Sequence, residues 1–166
     1  MAENSLQLDA KAWALLSALQ QDSRAPLKAL AGAAGLSVPA TVDRLKRLKD
    51  SGVLRSMGAE LDAARAGYPV RAIVGITVQQ PGKKAFLDKL RAAPEVLECH
   101  HVAGADSYLM TVVARDLEHL ERFLGSVNGY GETRTSIVFS TPIERRGLVA
   151  PGLAERVDFA GSGASS

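Results

Sequence analysis

At 166 residues the chain suits one compact domain or two small ones, and 46% hydrophobic residues with only 5% aromatics imply a packed, mostly aliphatic core. A single cysteine, Cys99, excludes an intramolecular disulfide framework and a cysteine-cluster metal site. No apolar run approaches the roughly 20 residues needed to cross a bilayer, and Met1–Leu8 lacks the basic and apolar regions of a signal peptide, so the default expectation is a protein of the cytoplasm. The net charge of +2 argues for no particular partner, but its distribution is informative. Between Ser23 and Ser56 lie seven basic residues (Arg24, Lys28, Arg44, Lys46, Arg47, Lys49, Arg55) and two acidic ones (Asp43, Asp50), a local balance of +5. The remainder holds 13 basic and 16 acidic residues, so the basic character is confined to one short stretch, as an electrostatic footprint for nucleic acid would be.

In chain order, the first segment reads as three short helices. Asp9 is a good N-cap, and Leu8 can staple onto Trp13. Ala12, Leu15, Leu16 and Leu19 then form one apolar stripe over Asp9–Gln21. A second, alanine-rich helix is expected near Leu27–Ala34, with Leu30 and Ala31 inward and Gly35 ending it through its tolerance of the left-handed conformation. Ser37 caps a third helix, Val38–Ser51, in which Pro39 occupies the first turn, where a missing N–H costs nothing. Its spacing predicts Val42, Leu45 and Leu48 toward the core. Two helices joined by a short turn of Gly, Leu and Ser have the geometry of a helix-turn-helix. Val53–Leu61 looks extended, as a small wing or a linking strand.

From Tyr68 the apolar period changes from helical to alternating. Val70, Ala72, Val74, Ile76 and Val78 share one face of a strand. Pro81-Gly82 leads into an amphipathic helix through Ala93, with Phe86, Leu87 and Leu90 inward. Strands follow at Glu95–Ala103 and Ser107–Arg115, separated by the turn Gly104-Ala105-Asp106. Asp116 caps a helix carrying Leu117, Leu120, Phe123 and Leu124, and Thr133–Ser140 is a fourth strand. The order β-α-β-β-α-β is the split ferredoxin-like motif, making the fold α+β. Two helices cover one face of such a sheet, and the other face, partly apolar at Ile73, Leu109 and Val113, needs a cover, which a second copy of the chain supplies. The expected division is 1–56 for the helix-turn-helix, 57–67 for a linker strand, 68–147 for the ferredoxin-like domain, and 148–166 for a tail whose Gly/Ala/Ser-rich end is disordered.

Two stretches can carry function. On the third helix, Ala40, Asp43, Arg44 and Arg47 line the side opposite the expected core. A small residue there admits the backbone to a major groove, and arginine bonds bidentately to guanine. Ser37 and the free N–H groups at the helix start suit a phosphate. The DNA-contacting set is thus Lys28, Ser37, Val38, Pro39, Ala40, Thr41, Asp43, Arg44, Lys46 and Arg47, with Lys49 as further backbone support; the plainer alternative is a solvated basic face. The second stretch, Val102 to Tyr108, sets a glycine, an acid and two hydroxyls between adjacent strands, where a carboxylate could take a ligand ammonium and exposed N–H groups a carboxylate, against the plainer reading of an ordinary hairpin. His100 and His101, being consecutive, point to opposite faces of a strand and cannot share a metal. No nucleophile–base pair, Walker-type loop or carboxylate pair marks an enzyme, and no cofactor is implied.

Taken together, Leu8-Asp9, Asp22-Ser23-Arg24, Leu30-Ala31, Gly35-Leu36-Ser37, Thr41 to Leu48, Ser51 to Leu54, Pro94 to Cys99 and Val102-Ala103-Gly104 resemble the Lrp/AsnC (feast/famine) transcription regulators over roughly residues 8–147. The resemblance implies a plain or winged helix-turn-helix joined to a ferredoxin-like RAM domain. It implies homodimers formed through the sheets, often assembled further to tetramers or octameric discs, double-stranded DNA as partner, and an amino acid or related effector. On this sequence the ligand loop would be Gly104, Ala105, Asp106, Ser107 and Tyr108, with Thr133, Thr135 and Ser136 as neighbours. Many members carry Gly-Asp-x-Asp in this loop; here the run is Gly104-Ala105-Asp106-Ser107, with one acid at a shifted place. Two other readings stay open on the residues alone: a metabolite-binding regulatory subunit that ignores DNA, and an effector-independent architectural DNA-binder.

Overall fold

A computed structural model of the chain describes residues 8–154. It separates into two units, one formed by residues up to Ala59 together with those from Arg145 onward, the other by Glu60–Glu144. No helix among the described residues is long and apolar enough to cross a membrane.

The first unit contains α1 (Ala10–Gln21), α2 (Leu27–Ala34) and α3 (Val38–Asp50). Asp9 caps α1, its Oδ1 accepting from the Ala12 N–H at 2.8 Å, and Leu8 and Trp13 pack on the same small cluster, as a staple requires. All four residues of the expected α1 stripe are buried. Leu15 and Leu19 meet Leu30 and Ala34 of α2, while Ala12 and Leu16 meet Leu48 of α3. Gly35 ends α2 at φ +58°, and the Leu36 N–H then closes on the Ala31 carbonyl at 2.9 Å. Only a residue that accepts the left-handed region permits so tight a turn between two helices.

On α3 the observed phase differs from the expected one. Thr41 is fully buried, whereas Val42 is 47% exposed. At 100° per residue, Thr41, Leu45 and Leu48 fall within an arc of about 60°, while Val42 and Leu48 lie about 120° apart. The inward stripe is therefore Thr41, Leu45 and Leu48. Thr41 tolerates burial because its hydroxyl donates to the Ser37 carbonyl one turn back, at 2.9 Å.

The extended stretch after α3 forms no strand, either as a wing over 53–61 or as a linker strand over 57–67. Its amides find local partners instead of a ladder. The Leu54 N–H closes α3 on the Leu48 carbonyl at 2.9 Å, and those of Ala66 and Tyr68 turn back to Asp62 and Ala63 at 2.9 and 2.8 Å. The chain rejoins the first unit at Arg145. There the Gln20 amide brackets Leu148, donating to its carbonyl at 2.9 Å and accepting its N–H at 2.6 Å. The short helix α6 (Pro151–Ala154) follows. The disorder expected at the end of the tail concerns residues outside the described ones.

The second unit is a four-stranded antiparallel sheet in the order β2-β3-β1-β4, with β1 Val70–Ile76, β2 Val96–His101, β3 Tyr108–Ala114 and β4 Thr133–Ile137. Helices α4 (Lys83–Arg91) and α5 (Leu117–Val127) cover one face. The core there holds Ala72, Val74 and Ile76 of β1, Tyr108, Met110 and Val112 of β3, and Phe86, Leu120 and Phe123 of the helices. This is the expected βαββαβ arrangement, with strands one to three residues shorter at their ends. Asp116 caps α5 by accepting the His119 N–H at 2.6 Å. The His119 ring then spans to the sheet: Nδ1 accepts the Arg115 N–H at 3.2 Å and Nε2 lies 3.0 Å from a Glu95 carboxylate oxygen.

The α3 phase has a direct consequence for stability. Leu48→Ala should cost about 2–5 kcal/mol, as a truncation in a well-packed core does, whereas Val42→Ala should stay within about 0.5 kcal/mol. Urea unfolding of the two variants measures the difference, and equal losses would restore the original phase.

Candidate functional site

Each unit contains one candidate site. In the first, the exposed part of α3 holds Val38, Pro39, Ala40, Asp43, Lys46 and Arg47 from the expected DNA-contacting set, with Ser37 at the cap and Lys28 exposed on α2. The Ser37 hydroxyl accepts weakly from the Ala40 N–H, at 3.4 Å. Thr41 leaves the set because it is buried. Arg44 is turned aside: its Nη1 donates to Asp9 Oδ1 at 2.5 Å, and its side chain is only 33% exposed. One carboxylate thus caps α1 and anchors α3. Arg47 pairs with Asp43 one turn back on its own helix, at 2.7 Å, with both side chains largely in solvent. Such exposed pairs are worth little and yield readily to a phosphate. Sequence reasoning missed Val42, which the apolar spacing puts in the core; its β-branched side chain is 47% exposed, beside Val38 at 40%.

In the second unit the turn after β2 carries Asp106 across the face of the sheet that has no helix. Its carboxylate lies against Gly75 of β1, where an added Cβ would come within 2.5 Å of Oδ2. There it accepts from Arg134 Nη2 of β4 at 2.5 Å. Asp106 is 17% exposed in its side chain and Arg134 is 60% exposed, so the pair has a sheltered acid and an accessible base. The Ala105 carbonyl accepts the Thr77 hydroxyl at 3.1 Å, and the Ser107 N–H donates to the Ile76 carbonyl at 3.0 Å, fastening the turn to the end of β1. Gly104, exposed at φ +156°, has open space where a side chain would stand.

The neighbours expected from β4 divide by strand alternation. Ser136 pairs with Ile73 and shares the helix-free face with Arg134, whereas Thr133 and Thr135 pair with Ile76 and Val74 and lie on the helix side. Thr133 is engaged there with Asn128, at 3.0 Å. Tyr108 is also on the helix side and buried, its ring 5.3 Å from Phe86 and 5.0 Å from His101. The structure therefore brings together Asp106 and Ser136's face but separates Tyr108, Thr133 and Thr135 from it. Arg134 was missed, although it is the one charged residue of β4 and Gly75 interrupts an otherwise bulky strand, a sign of close approach. A hollow of about 470 Å³ between α4 and β2 lies on the helix side, and of the turn residues only Tyr108 lines it. Cys99 also lines that hollow, its thiol pushed up by burial, which suits packing.

Comparison with known proteins assigns each unit to a known domain family. Residues 8–49 match the AsnC-type helix-turn-helix domain, and residues 71–148 match the Lrp/AsnC ligand binding domain. The transcriptional regulator LrpC of Bacillus subtilis is 29% identical over 126 residues, covering 76% of this chain and 88% of LrpC. Its solved structure superposes with a TM-score of 0.80 at 28% identity, over 84% of this chain and all of that one. The regulator AldR of Mycobacterium tuberculosis is 31% identical over 132 residues, covering 75% of this chain and 74% of AldR. A feast or famine regulatory protein from M. tuberculosis, solved in complex with L-methionine, gives a TM-score of 0.78 at 32% identity, over 86% of this chain and 99% of that one. The chain belongs to the Lrp/AsnC family, whose members are helix-turn-helix transcription regulators rather than enzymes.

The double use of Asp9 predicts a titration. Its pKa is held below the ordinary value of 3.8, first by the Ala12 N–H and then by Arg44. A lowered carboxylate pKa stabilises the fold above the unfolded value, and that contribution fades as pH falls through the folded one. In Arg44→Gln the Asp9 midpoint, followed by carbon-detected NMR, should move up toward 3.8 while remaining below it, because the Ala12 N–H persists. An unchanged midpoint would mean that the Arg44 contact contributes nothing in solution.

Proposed function

We propose that this chain binds double-stranded DNA through α3 as a homodimer or higher assembly, acting in the cytoplasm, and that an α-amino acid held at Asp106 and Arg134 modulates that binding. The observation that carries the effector reading is the Asp106–Arg134 pair resting over Gly75. A carboxylate and a guanidinium on one strand face match the two charges of a zwitterion: the ligand ammonium replaces Arg134 on Asp106, and the freed guanidinium takes the ligand carboxylate in a bidentate contact. The open face around Gly104 leaves room for a side chain. Support from outside the chain comes from the L-methionine complex of the related M. tuberculosis protein. Support for the DNA reading comes from the exposed Lys28, Lys46 and Arg47 and the helix start at Ser37, which suit phosphates. Self-association rests on the helix-free sheet face, where Ile73 remains 38% exposed beside the half-buried Leu109, although Val113 on the same face is already buried within the chain. A ligand bound on that face can shift assembly or DNA affinity only through different contacts in the two states.

Calorimetry with L-methionine as probe tests the effector site. Asp106→Ala and Arg134→Ala should each weaken binding about 10- to 100-fold, the loss expected of one charge-assisted hydrogen bond. Gly75→Ala should do the same without removing either charge, because the added Cβ evicts the Asp106 carboxylate. Undiminished binding in all three variants would place the effector elsewhere.

A further inference from the structure

The exposed surface of α3 is not the arginine-rich reader that its composition suggests. Arg44 is committed to Asp9, and Arg47 leans on Asp43. Opposite the buried stripe stand Pro39, Asp43 and Lys46, and on the flank away from Arg44 stand Val38, 40% exposed, and Val42, 47% exposed. The two valines are four residues apart and so adjacent on the helix surface. Valine at a solvent-facing helical position is disfavoured, since its side chain loses χ1 freedom against the preceding turn. Val42, one turn into the helix, bears that cost and keeps 47% of its surface in solvent, whereas Val38, as the first helical residue, has no preceding turn against it and is 40% exposed. Isolated exposed apolar residues are ordinary; an adjacent β-branched pair on the helix assigned to the major groove calls for a contact.

We propose that Val42, with Val38 beside it, reads a thymine in the major groove through the C5-methyl group. This rests on the reading above that α3 enters that groove. Of the four bases' major-groove edges, thymine's alone presents a methyl group; guanine, adenine and cytosine are read there mainly through hydrogen-bond donors and acceptors. Valine against a guanine, adenine or cytosine edge would strip water from polar atoms and return nothing. Against a thymine methyl it buries apolar surface on both sides. Lys46 follows Val42 by one turn, is exposed, and has no ion pair among the described residues, so its ammonium suits the flanking phosphate, while Arg47 releases Asp43 for the same purpose. Specificity then comes from an apolar contact, and affinity from the cations around it.

The test uses the full chain and duplexes that it selects from a random pool. Each thymine of a selected duplex is replaced in turn by deoxyuridine, which removes only the methyl. At one position or more, the wild-type protein should bind about three- to fivefold more weakly, the value of one buried methyl. Val42→Ala should bind the parent duplex with a similar deficit and be indifferent to that replacement. A wild-type protein insensitive to every replacement overturns the inference, and the Val42→Ala protein losing as much as the wild type shows that another residue reads the methyl. The replacement arm uses unaltered protein, so it stands whatever the variant does to folding. If no sequence is enriched at all, the DNA-binding reading itself falls, and this inference with it.

Discussion

The Asp9 carboxylate holds two donors at once, the Ala12 N–H at the start of α1 and the Arg44 guanidinium on α3. This contact joins residues 35 positions apart and agrees with the rotation of α3 against α1 that the buried leucine packing sets. With Leu48 locked against Ala12 and Leu16 on the same side, the helix has one rotation available, and everything it presents to solvent follows. Arg44 is drawn toward the core side, Thr41 is buried, and Val42 is pushed out. A charge-assisted bond to a capping carboxylate adds a second donor to an acceptor that the backbone already orients. The arrangement thereby engages one of the unit's arginines in an internal contact.

The same economy occurs in the second unit, with the opposite accessibility. Asp106 is sheltered against a glycine, and its arginine is exposed. Gly75 is the enabling residue: in a strand of β-branched neighbours it alone leaves the depth that a carboxylate needs to lie flat on the sheet. Its backbone is not unusual in conformation; what it contributes is absence of a side chain. Arg134 can then reach across from β4, one strand over, and the pair occupies the face that carries no helix. Because strand partners share a face, the hydroxyls of Thr133 and Thr135 are on the far side, and only Ser136 accompanies the pair.

Much of this was legible in the residues. Caps at Asp9, Ser37 and Asp116, the left-handed stop at Gly35 and the two-residue alternation of β1 are local signals, and local signals give element type and order. The helix phase of α3 was misread for a physical reason. Steps of three residues fall behind the helix by 60° each, and the apolar-only template passed over a threonine whose hydroxyl is satisfied one turn back. The missing strand after α3 illustrates the converse, since an extended stretch becomes a strand only if a partner edge exists, and nothing local announces one. The Asp106–Arg134 pair spans 28 residues and the Asp9–Arg44 pair 35. Pairings of that range depend on topology, which is why the loop was located while its partner was not.

The two sites differ in what binding must undo. On the proposed reading, a zwitterion at Asp106 would replace one charged partner by another of the same sign, so that each ion exchanges contacts and neither is left bare. That exchange favours a ligand carrying both charges at the spacing of an α-amino acid over a simple amine or a simple carboxylate, each of which would leave Asp106 or Arg134 half-served. Selectivity among amino acids must then arise from the side chain, and the exposed Gly104 with its open surroundings imposes little there. Any narrower preference has to come from whatever covers the helix-free face. A second copy of the chain packed on that face would complete the pocket wall, and in doing so would make ligand occupancy and subunit contact depend on each other. The chemistry of the site and the uncovered apolar strand surface thus point to one coupled equilibrium, in which the reciprocal rule applies: whatever assembly does to ligand affinity, the ligand does to assembly.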